Sequence, residues 1–157
     1  MAHLERGLEV LSERIRTDLG AAVDTEPGAG AAGGMGAGLM AFFKARLLPG
    51  FEFLADACGL ARAIADVDLV ITGEGTLDEG SLGGKAPIAV ARMARDAGVS
   101  CLALCGAIHL PDEVLRSAGF VGWSSLDAEV GHRRAVDDPS GSLASAAGEL
   151  VTRYLSG

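Results

Sequence analysis

Asp68-Leu-Val-Ile-Thr-Gly-Glu-Gly-Thr-Leu-Asp-Glu-Gly-Ser-Leu-Gly-Gly-Lys85 opens as a short apolar run and dissolves into glycines and carboxylates. Val67 to Thr72 has the length and β-branched composition of a buried strand, and Gly73 stops it. The loop from Gly73 to Lys85 leads to a helix with Pro87 in its first turn and Gly98 just past its end, the usual asymmetry of helix termini. Cys101 to Cys105 then reads as a second buried strand. Strand, crossover helix and strand within about 40 residues make a βαβ unit, whose strands run parallel and whose connection is right-handed. The fold class expected is therefore α/β, a parallel sheet flanked by helices.

Working outward, Leu4, Leu8, Leu11, Ile15 and Leu19 recur at helical spacing and predict an amphipathic helix over 3–19, ended by Gly20. Asp24 to Pro27 forms a turn, and a helix over about 32–47, stopped by Pro49 and Gly50, follows the glycines. Residues 52–64 read as one further helix. Beyond the βαβ unit the pattern predicts a helix over 111–118 and a third strand at 120–123. A solvated loop at 137–141 and a closing helix over 142–155 complete it. The length of 157 residues fits a single domain, 1–157.

Hydrophobic residues make up 49% and aromatic residues 4%, so aliphatic side chains and alanine must fill the interior. The net charge of -8, with 13 scattered Lys and Arg and no basic run, argues against nucleic-acid binding. A small phosphorylated ligand remains compatible, because Mg²⁺ and oriented backbone N–H groups can cancel repulsion. Residues 27–43 carry no charge, but the stretch is shorter than the roughly 20 apolar residues a bilayer span needs and is mostly glycine and alanine, which transfer poorly into lipid; no membrane partner is expected. Cys58, Cys101 and Cys105 lack metal-site or disulfide-scaffold spacing and are expected to be reduced core thiols. The first residues carry no signal-peptide core, and cytoplasmic residence is the expectation.

Gly28-Ala-Gly-Ala-Ala-Gly33 matches the letters of a dinucleotide fingerprint, but an Asp-Thr-Glu-Pro turn precedes it where a strand is required. A phosphate-binding P-loop is excluded, since Ala86 follows Gly84-Lys85 and Glu79 stands five before Gly84. Glycines at a helix start let backbone N–H groups approach an anion, aided by the helix dipole. Gly28, Gly30, Gly33 and Gly34 are therefore candidates for substrate or phosphate contact, while Gly36 and Gly38 read as packing positions. Each glycine inside a helix costs about 1 kcal/mol relative to alanine, so so many require a compensating benefit.

The loop after the first strand begins where ligands collect in parallel sheets. Glu74 and Asp78 are four apart and can converge on a metal or a substrate hydroxyl; Lys85 starts the next helix, where negative charge is favoured. Gly73, Gly75, Ser81 and Gly106 are the accompanying substrate- or phosphate-binding candidates. Each has a plainer reading: Glu74 or Asp78 as a turn cap, Ser81 as a helix cap, Lys85 as a solvated lysine. His109 reads as a surface or helix-start residue rather than a base.

Taken together, Pro27-Gly-Ala-Gly-Ala-Ala-Gly-Gly34, Leu48-Pro-Gly50, Asp68-Leu-Val-Ile-Thr-Gly-Glu-Gly75 and Gly84-Lys-Ala-Pro87 resemble the carboxy-terminal half of bacterial-type glycerate kinases. The resemblance runs from about residue 4 to residue 122 and weakens through the last 35 residues. It implies a fragment of a two-domain α/β enzyme that transfers the γ-phosphoryl of ATP to D-glycerate with Mg²⁺. The site would lie between the domains, with Asp78 as base or metal ligand and Glu74 as metal or substrate ligand. Gly80 stands where the family usually has glutamine. The family's amino-terminal half, with its Asp-Ser-Phe-Lys-Gly and Asp-Gly-Gly-Glu-Gly-Thr stretches, is absent, so an amino-terminal partner or a homodimer is the expected completion. The alternatives are a truncated nucleotide- or phosphate-binding module without catalysis, and a fragment that self-associates through a former interdomain face.

Overall fold

The computed structural model describes residues 2–156, and the chain divides into two compact units, Met1–Pro49 and Gly50–Gly157. In the first, helix α1 (Ala2–Leu19) turns Ile15 onto a small core with Val23, Ala29 and Ala37, and Gly20 ends the helix at φ 65°. Helix α2 (Ala31–Phe43) is irregular at its start: Ala32, Gly33 and Gly34 all have left-handed backbones. It also ends earlier than the sequence predicts. Lys44 adopts φ 52° and donates its amide to the Leu39 carbonyl, closing the helix before Pro49 is reached. No residue of α2 beyond Ala37 is fully buried, so packing does not prolong it.

The second unit carries the sheet. One predicted helix is two, α3 (Gly50–Ala57) and α4 (Leu60–Ala65), broken where Gly59 takes φ 67°. Strand β1 (Leu69–Thr72) precedes a two-residue strand β2 (Thr76–Leu77), a 3-10 turn at Glu79–Gly83 and helix α5 (Ala86–Asp96). Strand β3 (Ser100–Cys105), strand β4 (Ala107–Ile108), helix α6 (Asp112–Ala118) and strand β5 (Gly122–Ser125) follow. The main sheet has order β1-β3-β5 and is parallel throughout, with Leu69 opposite Ser100 and Leu102 opposite Gly122. β2 and β4 pair in parallel just beyond it. The βαβ expectation holds.

β3 is buried on both faces, and its side chains alternate between two cores as the strand period requires. Cys101, Ala103 and Cys105 join Ile88, Ala91 and Ala94 of α5 on one face. Leu102 and Leu104 meet Ala146 and Leu150 of the last helix on the other. That helix, α9 (Pro139–Ser156), starts inside the stretch expected to be a solvated loop. The Asp138 carboxylate accepts a hydrogen bond from the Gly141 amide at 3.0 Å, so the polar residues cap a helix rather than form a loop. Helices α7 (Leu126–Glu129) and α8 (His132–Asp137) fill a region with no clear periodic signal. Cys101 and Cys105 are core thiols as expected, but Cys58 is exposed beside the α3–α4 break.

Candidate functional site

The site candidates of the second unit gather at the carboxyl edge of the parallel sheet. β1 and β3 run on past their last ladder pairs: the Gly106 amide donates to the Glu74 carbonyl at 3.1 Å, and the Ala107 amide to the Gly75 carbonyl at 3.0 Å. This close approach explains two glycines. A Cβ on Gly73 would overlap the Leu104 carbonyl oxygen, and one on Gly106 would lie 2.5 Å from the Gly75 carbonyl oxygen. A Cβ on Gly75 would meet nothing within 4 Å. Gly73 and Gly106 thus have a packing reason independent of any ligand, whereas Gly75 faces open space.

Lys85, at the start of α5, brings its ammonium 3.8 Å from Glu74 Oε2 and 3.9 Å from Asp78 Oδ1. The three charged candidates therefore form one cluster with one positive and two negative groups. Lys85 and Asp78 are about half exposed, but the Glu74 side chain is only 21% exposed. Its Oε1 is buried with no hydrogen-bond partner. An unpaired buried polar oxygen is costly, about 1–3 kcal/mol and more when charged, and it is a position where a hydroxyl or cation would be stabilised.

Ser81 packs into the interior behind Asp78. It is fully buried, its hydroxyl donates to Asp78 Oδ1 at 3.3 Å, and it accepts the Asp78 amide at 3.2 Å. The reciprocal bonds turn Asp78 and Ser81 into a small capped turn. Ser81 thereby fixes the Asp78 carboxylate against the backbone, and both the cap reading and the site reading of Asp78 describe the same arrangement. A Cβ on Gly80 would stand 3.2 Å from Asp78 Oδ1, so a larger residue there would press on that carboxylate.

Cys105 adds a group that the residue pattern did not assign to the site. Burial raises its thiol pKa, a hydrogen bond to the Glu74 backbone partly offsets this, and the Glu74 charge adds a smaller upward push. The raised pKa favours the neutral thiol beside Glu74. The start of α7 also reaches this edge, since the Asp127 amide donates to the Gly106 carbonyl at 3.0 Å. The Asp127 carboxylate accepts a hydrogen bond from His132 Nδ1 at 3.1 Å. Ser125 before Leu126-Asp-Ala-Glu129, a capping residue ahead of an acidic first turn, was the available signal for that helix start. His109 is exposed, and its amide is held by the Leu77 carbonyl.

In the first unit the glycine-rich segment is more closed than an anion cradle. The Ala31 amide goes to the Gly28 carbonyl and the Gly34 amide to the Gly30 carbonyl. A Cβ on Gly34 would come 2.6 Å from Leu11 Cδ2, and one on Gly36 2.9 Å from the Gly28 carbonyl oxygen. Gly34 and Gly36 therefore serve close packing. Gly28 and Gly33 have positive φ and no close neighbour that excludes a Cβ; Gly30 lies 3.5 Å from Leu8. Gly30 and Gly34 border a cavity of about 440 Å³ whose rim carries Glu5, Glu9 and Glu13 beside Arg16. That rim opposes a bare phosphate.

Among the described residues no three His, Cys, Asp or Glu side chains converge as a metal cage. Mg²⁺ needs less from a protein, commonly one or two carboxylates with waters and phosphate oxygens, and the Glu74–Asp78 pair with its unpartnered oxygen fits that demand. No helix among the described residues is long and apolar enough to cross a membrane.

A model of the glycerate kinase family matches residues 1–155. The chain belongs to the glycerate kinase family. It is 47% identical over 112 residues to a glycerate kinase of Halalkalibacterium halodurans, covering 71% of this chain and 30% of that protein. It is 41% identical over 128 residues to the glycerate 2-kinase of Escherichia coli K12, covering 82% of this chain and 32% of that protein. The crystal structure of a putative glycerate kinase 2 from Salmonella typhimurium LT2 is similar over 94% of this chain and 38% of that one, with a TM-score of 0.62 at 32% identity. The chain thus spans about a third of the length of the curated relatives it matches. The resemblance in the motifs is a family relationship, and the α/β parallel-sheet architecture is that of a glycerate kinase structure.

Proposed function

We propose that this chain supplies the Glu74–Asp78–Lys85 side of a glycerate kinase active site, transferring the γ-phosphoryl of ATP to a hydroxyl of D-glycerate. The observation that carries the reading is the buried, unpartnered Glu74 Oε1 beside a lysine and a second carboxylate, at the sheet edge where ligands collect. Phosphoryl transfer asks a protein for positioning and charge neutralisation more than for a covalent nucleophile. Asp78, held by Ser81, takes the proton of the attacking hydroxyl as its oxygen bonds to the γ-phosphorus and the bond to ADP breaks. Glu74 receives a substrate hydroxyl on its unpartnered oxygen and orients it. The Lys85 ammonium, still protonated, exchanges its carboxylate partners for a phosphate oxygen as the phosphate arrives. Mg²⁺, held by Glu74 and Asp78, would neutralise phosphate charge. Gly75 offers open backbone next to these groups.

We further propose that residues 1–157 work as one carboxy-terminal portion, in the cytoplasm, completed by an amino-terminal portion or a second copy. A nucleotide- or phosphate-binding module without turnover is the second reading, favoured by the third of the relatives' length that the chain spans. Incubation with Mg-ATP and D-glycerate, followed by phosphorus NMR against an ATP-only control, tests the kinase. Phosphoglycerate from the chain alone supports a complete site. Phosphoglycerate only when the remaining portion is added supports a shared site, and Mg-ATP binding without product under both conditions supports the module. Near-normal turnover by Asp78→Asn in an assembled, active enzyme would refute the role given to Asp78.

A further inference from the structure

A cavity of about 400 Å³ lies inside the second unit, among α3, α4 and α5. Small-molecule sites commonly enclose about 300–1,000 Å³. Its origin is local in the sequence. Gly59, at φ 67°, separates α3 from α4, and Ala55, Ala61 and Ala89 stand where larger side chains would close the space. Phe51 and Met93, both half-buried, supply its large apolar surface. Glu52, Asp56 and Arg92 border it as well, and among the described residues these three charged side chains form no ion pair with one another. Charges of both signs around an apolar floor suit an amphipathic ligand.

The cavity adjoins the Glu74–Asp78–Lys85 cluster. Gly84 borders it, and the next residue, Lys85, carries the ammonium that faces both carboxylates. Gly84 holds φ 100°, and a Cβ there would meet nothing within 4 Å, so open space runs past it. The Ala89 amide donates to the Lys85 carbonyl, one turn back along α5. Ala89, Arg92 and Met93 then follow on one stripe of that helix. Lys85 to Met93 is about 12 Å along the helix axis, and helical side chains lean toward the amino-terminal end, here toward Lys85. A phosphate held at Lys85 thus has the cavity at the distance where the rest of a nucleotide falls.

We propose that this cavity seats the purine ring and ribose of the nucleotide donor, with the phosphates passing Gly84 to reach Lys85. The proposal rests on the kinase reading for the ligand class, and the cavity's own chemistry assigns the part that enters it. A flat ring gains contact with Phe51 and with the polarizable sulfur of Met93, and the Arg92 guanidinium can stack on its face. Asp56 and Glu52 are acceptors for an exocyclic amino group or ribose hydroxyls. Glycerate, small and without apolar surface, gains nothing there, which separates this subsite from that of the acceptor.

The test is amide chemical-shift mapping on the isotope-labelled full chain, with adenosine, inorganic triphosphate and Mg-ATP as separate probes. Adenosine should move the amides of residues 51–61 and 89–93, triphosphate those of 74–85, and Mg-ATP both groups. Ala61→Trp, a change at an exposed position, fills the cavity and should weaken adenosine and Mg-ATP binding by about tenfold or more while leaving triphosphate binding unchanged. Arg92→Gln should weaken both by about threefold to tenfold. Adenosine that leaves residues 51–61 and 89–93 unmoved at millimolar concentration would overturn the proposal. So would an Ala61→Trp chain that melts like the parent and binds Mg-ATP as tightly. Cavity shifts with Mg-ATP, but no phosphoglycerate even when the remaining portion is added, would refute the kinase reading and leave this one standing. Phosphoglycerate formation with a KM for ATP indifferent to Ala61→Trp would do the reverse.

Discussion

Gly73→Ala offers the sharpest check on how the sheet edge is built. The new Cβ would overlap the carbonyl oxygen of Leu104, a backbone atom of β3 fixed between two paired strands. No rotamer change relieves such a contact. β1 and β3 must separate locally, which adds the loss of one or two ladder hydrogen bonds, each about 0.5–1.5 kcal/mol net, to an overpacking cost of about 1–3 kcal/mol. The sum is about 3 kcal/mol. With a urea dependence of about 2 kcal/mol per molar, the unfolding midpoint of the second unit should fall by about 1.5 M. Trp123, the single tryptophan, sits in β5 and reports that transition by fluorescence. Gly75→Ala is the control, because its Cβ meets nothing within 4 Å and should change stability by no more than about 0.5 kcal/mol. A Gly73→Ala midpoint within about 0.2 M of the parent would refute the close-approach argument, since the expected cost at that slope is several times larger.

Ser81→Ala should lower stability by about 1–2 kcal/mol by urea titration, because a fully buried hydroxyl with two partners is lost; no change would mean that the Asp78 turn holds without it. Thiol labelling with a maleimide near neutral pH should mark Cys58 alone by mass spectrometry, and all three cysteines in urea. Burial pushes the Cys101 thiol up to about 11 and raises Cys105 as well, so native labelling of either would contradict the packing around β3. The Glu129 carboxyl is held below its ordinary value of 4.5 by hydrogen bonds from Ser124 and Arg153. A lowered folded pKa contributes stability that is present above the unfolded value and lost as pH falls through the folded one. The stability gap between parent and Glu129→Gln should therefore narrow on acidification below about pH 4.5, and a gap independent of pH would refute the assignment.

The parallel βαβ unit was legible because its signals are local and agree: a β-branched run, a proline at the helix start and a glycine at its end. Helix ends were less so. The predicted 32–47 helix stops at Lys44 and the predicted 52–64 helix breaks at Gly59, both through left-handed residues whose effect depends on what the next turn can bury. Asp137 to Gly141 read as a loop because capping and loop residues are the same residues; only the Asp138–Gly141 bond tells them apart. In the candidate site, the Glu74–Asp78–Lys85 convergence followed from position relative to a strand end. The meaning of the individual glycines did not. Gly73, Gly106 and Gly34 are explained by backbone or side-chain crowding with residues 31, 31 and 23 positions away in the chain, information that no local pattern carries.

The energetics of that cluster argue that it is arranged for something other than stability. Lys85 is half exposed, and its two ion pairs at 3.8 and 3.9 Å are long, so each contributes at most about 1 kcal/mol. Glu74 meanwhile keeps one oxygen buried and unpartnered, a cost of similar or larger size. A sequence selected for folding alone would replace Glu74 with an apolar residue against Cys105 and release Lys85 to solvent. The retained arrangement has a different property: a weakly held cation and an unpartnered carboxylate oxygen can both change partners when a charged ligand arrives, without unfolding anything around them. Ser81 supports the same conclusion, because it fixes Asp78 from the buried side and leaves the other face of the carboxylate to the solvent edge of the sheet.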